Sequence, residues 1–347
     1  MRIRRTFPIV VAVAVVAAAV TLAVQLRKHA PPEPARLLPA GDAFFYLDLA
    51  KARKANSGKE LPAVSHDPEY ERFIRETGFQ FERDLDEAAF AVHFPLRPER
   101  TGAAEPRFSE VFIGKFDGGK LAAYLKQHAQ SVENYESVDV FSVAIESRTL
   151  RVAILGADSV AASNVDDAAV IRGMIDRSRR LASPFGGPAL LRRYYKRVQF
   201  ASPAWLVAHV DPSSPEFGGW SDFLPHPADV VISASYNPLH LPLHPGGLHI
   251  RAEALAANAD DAHAIADKAS AYLAMFHSAE SSIGSHGTDP DVKAMFDSLQ
   301  IKQENERAVL SATVPPGFLK KLLSESPVEA PASRVPSPPQ PAPKATQ

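Results

Sequence analysis

Cysteine is absent from the 347-residue sequence. Its absence excludes a disulfide framework, a thiolate nucleophile and zinc or iron–sulfur sites held by cysteine. The sequence also lacks the motifs of phosphate-binding loops, dinucleotide-binding folds, zinc metalloproteases, nucleophile-elbow hydrolases and EF-hands. These absences favour a non-enzymatic protein, and no cofactor is predicted.

An excess of positive charge is also missing, since the whole chain has a net charge of −2. Five of its 38 Lys and Arg residues, and none of its 40 Asp and Glu residues, fall within the first 30 positions, which leaves the remainder at −7. A mildly acidic chain does not attract phosphate backbones, so nucleic acid is not an expected partner. The 46% hydrophobic and 22% charged residues are typical of a globular protein with about two folded units.

One long hydrophobic run is present, at residues 7–26, and it contains no charged residue. Twenty apolar residues in a helix are long enough to cross the hydrocarbon core of a bilayer. Arg2, Arg4 and Arg5 precede the run, which predicts a single-pass protein of the cytoplasmic membrane with its N-terminus in the cytoplasm and its domain outside. An uncleaved anchor is favoured over a signal peptide cleaved after Thr21-Leu22-Ala23, because that site lies inside the apolar run.

Proline is abundant, with 30 residues, and it marks the segments on both sides of the predicted domain. Residues 27–36 include Pro31, Pro32 and Pro34, which predict a stiff, extended spacer that lifts the domain off the membrane. Residues 326–347 are rich in proline and have no aromatic residue, which predicts a disordered tail.

Between these segments, strand-like and helix-like periodicities alternate and then recur in the same order. Phe44–Leu49 matches Trp205–Val210, Glu110–Leu125 matches Leu248–Leu273, and Phe141–Leu155 matches Leu299–Thr313. The predicted fold class is α+β: a duplicated strand-rich unit of paired antiparallel sheets with helices on one face, preceded by one transmembrane helix. The predicted division is a cytoplasmic tip (1–6), an anchor (7–26), a spacer (27–36), a first repeat (37–180), a junction (181–203), a second repeat (204–325) and a tail (326–347).

Capping residues predict where the helices begin and end. Asp67 with Pro68 predicts a helix start, and Gly78 predicts its end. Asn164 is expected to cap a helix that runs from Val165 to about Ser178.

Three short phrases carry a resemblance to a known group of proteins. They are Leu38–Asp48, Arg83–Asp86 before an apolar strand, and Ile113–Asp117 before a helix. They resemble uncharacterised bacterial envelope proteins that have an N-terminal membrane anchor and an exported domain of unknown function. The resemblance implies a membrane-tethered bacterial protein and assigns no catalytic residue.

Aromatic and basic residues supply the candidate contact surfaces. The aromatic residues of the first half, among them Phe45, Phe90 and Phe112, are interpreted as core, with an apolar cleft between the halves as the alternative. Trp220 and Phe223 lie on a glycine-rich loop and are predicted to contact an envelope protein or an apolar ligand. A basic stretch from Arg177 to Arg197 is interpreted as a solvated surface, with contact to anionic lipid headgroups or another polyanion as the alternative.

A group of histidines gives the alternative function. His226, His240, His244 and His249, with Asp229, are residue types that bind Zn²⁺ or Cu²⁺, and His240 and His244 are four residues apart. The alternative hypothesis is therefore a metal-binding protein or a metal-dependent hydrolase. Prolines interleave with these histidines, which favours a surface loop over a preorganised site.

Overall fold

The strands and helices were located in a computed structural model that describes residues 30–55, 66–94, 105–145, 147–180, 186–214, 224–236, 247–283 and 290–318. The first half contains α1 (Glu33–Leu37), β1 (Ala43–Asp48), α2 (Leu49–Ala55), α3 (Pro68–Thr77), α4 (Phe81–Asp84), β2 (Leu85–His93), β3 (Arg107–Gly114), α5 (Gly118–His128), β4 (Ala129–Tyr135), β5 (Val138–Ile145), β6 (Arg148–Ile154), β7 (Ser159–Ser163) and α6 (Ala169–Arg179). The second half contains α7 (Ala189–Tyr194), a 3₁₀ helix (Tyr195–Arg197), β8 (Ala204–Val210), β9 (Ala228–Tyr236), β10 (Leu248–Leu255), α8 (Ala259–Ile283), α9 (Pro290–Asp297), β11 (Gln300–Glu304) and β12 (Arg307–Val314).

Capping chemistry sets the boundaries of α3 as predicted. The Asp67 carboxylate accepts a hydrogen bond from the Tyr70 N–H at 2.7 Å, and Gly78 ends the helix with a φ of 75°. The predicted cap at Asn164 is wrong. Its side chain accepts a hydrogen bond from the Phe108 N–H at 2.6 Å and closes the end of the β3–β7 pair, so α6 begins only at Ala169.

The twelve strands form one antiparallel sheet in the order β11-β12-β10-β9-β8-β1-β2-β3-β7-β6-β5-β4. The predicted α+β class is confirmed, but the expectation of two paired sheets is wrong. The first strands of the two halves, β1 and β8, pair edge to edge, with Phe45 opposite Leu206. This pairing satisfies the backbone groups of both edges, so the halves continue one another instead of stacking.

Each half follows the same path across its part of the sheet. Three antiparallel strands are followed by a helix that crosses to the outer edge, and the chain then returns to pair with the third strand. The returning strand is β7 beside β3 in the first half and β12 beside β10 in the second. By position in the sheet, the hairpin equivalent to β11–β12 is therefore β6–β7, one strand later than the predicted Phe141–Leu155.

Helices pack on both faces of the sheet, which corrects the expectation that they share one face. On the face that we name face I, α1, α6 and α7 cover a core that includes Phe44, Trp205 and Met174, each at most 2% exposed. On the opposite face, face II, α5 packs on Phe141 and its neighbours, and α8 packs on the outer strands of the second half. Consecutive small residues in β7 are buried on both sides, which allows helices to approach from either direction.

The spacer differs from its predicted extended form, because Glu33–Leu37 is the helix α1. Pro34 is the second residue of the helix, where a missing N–H has no cost, and Leu37 is 2% exposed against the core of face I. The Arg177 guanidinium donates to the Leu37 carbonyl at 2.8 Å and fixes α1 to α6. The folded domain therefore begins at about residue 31, close to the predicted anchor.

Candidate functional site: an apolar floor between two helices

The centre of face II carries a row of apolar side chains that runs across neighbouring strands. Phe90 lies opposite Phe45, Phe45 opposite Leu206, and Leu206 opposite Ile232. We name these four residues and Phe112 the apolar floor. Each is half-buried, whereas Phe44, next to Phe45 in the chain but on face I, is 0% exposed. Large apolar side chains left partly exposed on adjacent strands form a surface that favours contact with another apolar group.

Ring contacts hold the aromatic part of the floor in place. The ring centroids of Phe45 and Phe90 are 6.1 Å apart, and those of Phe90 and Phe112 are 5.8 Å apart with an interplanar angle of 80°. Edge-to-face and tilted pairs of this kind stabilise one ring orientation. The floor is therefore a preformed surface.

The helices of face II lie on either side of this floor. The main contacts of α5 are with α3 and with β4, β5 and β6, and those of α8 are with β10, β11 and β12. The central strands lie between these two groups. There α2 contacts β2, and Phe90 and Phe112 pack against the buried side chains of Phe79, Leu85 and Ala88. A sheet floor bounded by two helices is a concave arrangement that suits an extended apolar ligand or a peptide segment.

Glu110 stands at the end of the row, opposite Phe90 and half-buried. Burial raises the pKa of its carboxyl above the ordinary value, and no cation in the part of the chain that the structure describes pairs with it. The carboxyl is the one ionisable group within the row, so it can hydrogen-bond the polar end of an apolar ligand.

Glu110→Gln is expected to raise the free energy of unfolding at pH 7 by about 1 kcal/mol, because it removes a charge from a half-buried site. The raised pKa means that the wild-type penalty is full above that pKa and disappears as the pH falls toward the ordinary value for glutamate. Chemical denaturation of the full chain at a series of pH values checks this. The exposed Glu76→Gln is the control, and a gain that persists in acid would contradict the charge explanation.

The predicted metal ligands that the structure describes have other partners. Asp229 accepts a hydrogen bond from the Tyr194 hydroxyl and lies 2.8 Å from His209 Nδ1. His226 Nδ1 lies 3.7 Å from Asp261, and His249 Nδ1 lies 3.2 Å from the Thr313 hydroxyl. Burial and the neighbouring Asp229 raise the pKa of Tyr194 to about 12. Among the described residues, no group of three His, Asp or Glu side chains is placed to hold a metal ion. The other predicted contact and metal residues lie outside the described residues: Trp220, Phe223, His240 and His244.

A buried carboxylate on face I is a feature that the sequence analysis missed. Glu253, 4% exposed, accepts hydrogen bonds from Arg251 at 2.8 Å, Arg307 at 3.1 Å and Arg197 at 3.2 Å. Burial raises the pKa of Glu253, but the hydrogen bond from Arg251 and the three guanidinium charges outweigh it, so the pKa lies below its ordinary value. Arg197 therefore belongs to an internal cluster and is not part of the solvated surface expected for the basic stretch.

The alternation of side chains along a strand could have indicated the floor residues of the first half, because the adjacent Phe44 and Phe45 point to opposite faces of the sheet. The sequence prediction instead placed these aromatic residues in the core, with an apolar cleft between the halves as the alternative. Leu206 and Ile232 could be assigned to the site only from the pairing of β1 with β8 and of β8 with β9.

The architecture of the chain is that of an α+β protein built on one antiparallel sheet. Two similar solved structures are crystal forms III and IV of TP0453. Form III has a TM-score of 0.44 at 9% identity and covers 84% of this chain and 97% of that one. Form IV has a TM-score of 0.41 at 11% identity and covers 85% of this chain and 98% of that one. No protein-family model and no curated protein matches the chain.

Within the described ranges, which begin at residue 30, no helix is both long enough and apolar enough to cross a bilayer. The predicted anchor, residues 7–26, lies outside the described residues.

Proposed function

We propose that this protein is a non-enzymatic, single-pass, membrane-anchored protein of the bacterial envelope that binds an apolar ligand, or an apolar segment of a partner protein, on its extracytoplasmic domain. The observation that carries the proposal is the row of half-buried apolar side chains across the centre of face II, between α5 and α8. The uncharged run at residues 7–26, preceded by three arginines, supports the anchor and its orientation.

The common strand path of the two halves supports a second part of the proposal, that the domain arose by duplication of one unit. Pairing of the two copies through their first strands places Phe45 and Leu206 opposite each other at the junction. The floor would then be a product of the duplication, because neither half alone supplies the whole row.

The metal-binding alternative stays a prediction for the segment that contains His240 and His244. It can be tested by the metal content of the full chain, purified without chelator or an affinity tag of histidines. About one zinc or copper ion per chain, lost in His244→Ala, would support it.

The binding proposal is tested by photo-crosslinking in the intact envelope. Benzoylphenylalanine replaces Phe45 in the floor or, as the control, Val132, which is 45% exposed on β4 at the outer edge of the sheet. We expect an adduct at position 45 that is absent at position 132. A larger gel species identifies a partner protein, and a small added mass identifies an apolar ligand.

A charge in the floor is expected to reduce that adduct at least tenfold, because Phe90→Glu places an ion against the bound apolar group. The matched control is Ile145→Glu, on β5, where the native side chain is 49% exposed. Equal adducts at positions 45 and 132, or an adduct that Phe90→Glu leaves unchanged, would contradict the proposal.

A further inference from the structure

Only a short stretch of chain separates the predicted membrane span from the folded domain. The span ends at Leu26, and the chain is already buried in the domain at Pro31. Five residues reach at most about 18 Å when fully extended. The headgroup layer takes up roughly 5–8 Å of that distance. With this anchor, the surface around Ala30 has to lie at or near the headgroups.

An open pocket of about 630 Å³ lies where the chain enters the domain, between that entry point and a turn in the second half. Its lining includes Ala30 and Pro32 from the entry segment and Tyr195, Val198 and Phe200 from the turn. Phe200 is 69% exposed, although it is one of the largest apolar side chains in the protein. Exposed Trp, Phe and Leu side chains on a surface that meets a bilayer are buried at the boundary between headgroups and acyl chains.

The turn that carries Phe200 is held by several hydrogen bonds. The Val198 N–H donates to the Tyr195 carbonyl at 2.9 Å, and the Ser202 hydroxyl donates to the Gln199 carbonyl at 2.7 Å. The Gln199 side chain also accepts a hydrogen bond from the Ser235 hydroxyl at 2.6 Å, which ties the turn to β9. The backbone position of the turn that carries Phe200 is therefore set by the fold.

Basic side chains surround the same surface. Lys51 and Lys196 line it and are exposed, while Arg197 is directed toward Glu253. Lys51 forms an ion pair with Asp48 at 2.9 Å. Lys196, in contrast, has no acidic partner among the described residues. Each lysine close to an anionic membrane surface adds modestly to binding.

We infer that the turn from Tyr195 to Ser202 rests on the outer surface of the membrane, with Phe200 inserted among the headgroups and Lys196 facing anionic lipid. The inference rests on the proposed anchor and adds a second contact between the domain and the bilayer. That contact fixes how the domain is oriented, and therefore in which direction the apolar floor faces.

The absence of cysteine permits a direct test, because a single introduced cysteine is the only thiol. Phe200→Cys carries a nitroxide label in the full chain, reconstituted into vesicles of phosphatidylcholine with phosphatidylglycerol. The control is Val132→Cys on β4, six strands from β1 and about 30 Å away across the sheet. The measurement compares collision of the label with oxygen and with a water-soluble nickel chelate.

The label at position 200 is expected to favour oxygen, as a membrane-inserted group does, and the label at position 132 to favour the nickel chelate. Adding Lys196→Gln to Phe200→Cys is expected to lower the ratio of docked to undocked domain about fivefold in these vesicles, and to have no effect in pure phosphatidylcholine.

Flotation of the same vesicles separates the two proposals. Protein that does not float with the vesicles would overturn the anchor itself. Protein that floats but has a water-exposed label at position 200 would overturn the inference about Phe200 and leave the anchor intact.

Discussion

Phe44→Ala is expected to lower the free energy of unfolding by about 3–5 kcal/mol, the largest single effect that we predict for the folded domain. Phe44 is 0% exposed in β1, the strand at which the two halves meet, and it packs in the same cluster as Trp205 and Met174. Truncation leaves a cavity on face I that α1, α6 and α7 cannot fill without moving. Urea denaturation of the full chain in mild detergent, followed by tryptophan fluorescence, measures the loss.

Phe45→Ala is the matched control, since the neighbouring residue has the same side chain on the opposite face. Phe45 is half-buried in the apolar floor, so its truncation is expected to cost about 1–2 kcal/mol. For ligand binding the order of the two effects is reversed. Phe45→Ala is expected to weaken binding to the apolar floor, whereas Phe44→Ala is not, provided that the Phe44→Ala variant folds. Equal stability losses for the two variants would contradict the assignment of faces.

Glu253→Gln is expected to cost about 2–3 kcal/mol at pH 7, because it leaves three guanidinium groups around a neutral amide. The expected loss is below that for a fully buried ion pair, since the side chains of Arg197, Arg251 and Arg307 remain 27–30% exposed. The control is Glu306→Gln, which changes an exposed carboxylate in the β11–β12 turn.

The pH dependence of the Glu253 effect has a defined sign. The folded-state pKa of Glu253 is lowered, so its stabilising contribution is complete above the ordinary glutamate pKa and is lost as the pH falls through the lowered value. The stability difference between wild type and Glu253→Gln should therefore close in acid. The stability difference between wild type and Glu110→Gln also disappears in acid, but at pH 7 the variant is the more stable protein, because burial raises the pKa of Glu110. A Glu253→Gln difference that is constant with pH would show that packing, not charge, explains the loss.

Local chemistry made α3 and its caps predictable. Asp67, Pro68 and Gly78 act on backbone groups within a few residues of themselves, so neighbouring residues are sufficient to predict the boundaries of that helix. Asn164 shows where such reasoning fails, since its side chain is used by the Phe108 N–H, 56 positions away. A cap residue that has a long-range partner cannot be distinguished from a true cap by its local sequence.

The sequence by itself determined the α+β class, the caps of α3, and the expectation of an anchor at residues 7–26. Only the tertiary structure decided that β1 and β8 join the halves into one sheet, that helices cover both faces, and that residues 33–37 dock as a helix. The physical reason is the range of the interactions. Periodicity and capping act over one or two turns, whereas strand pairing and helix docking join residues far apart in the chain, and local sequence does not specify that choice.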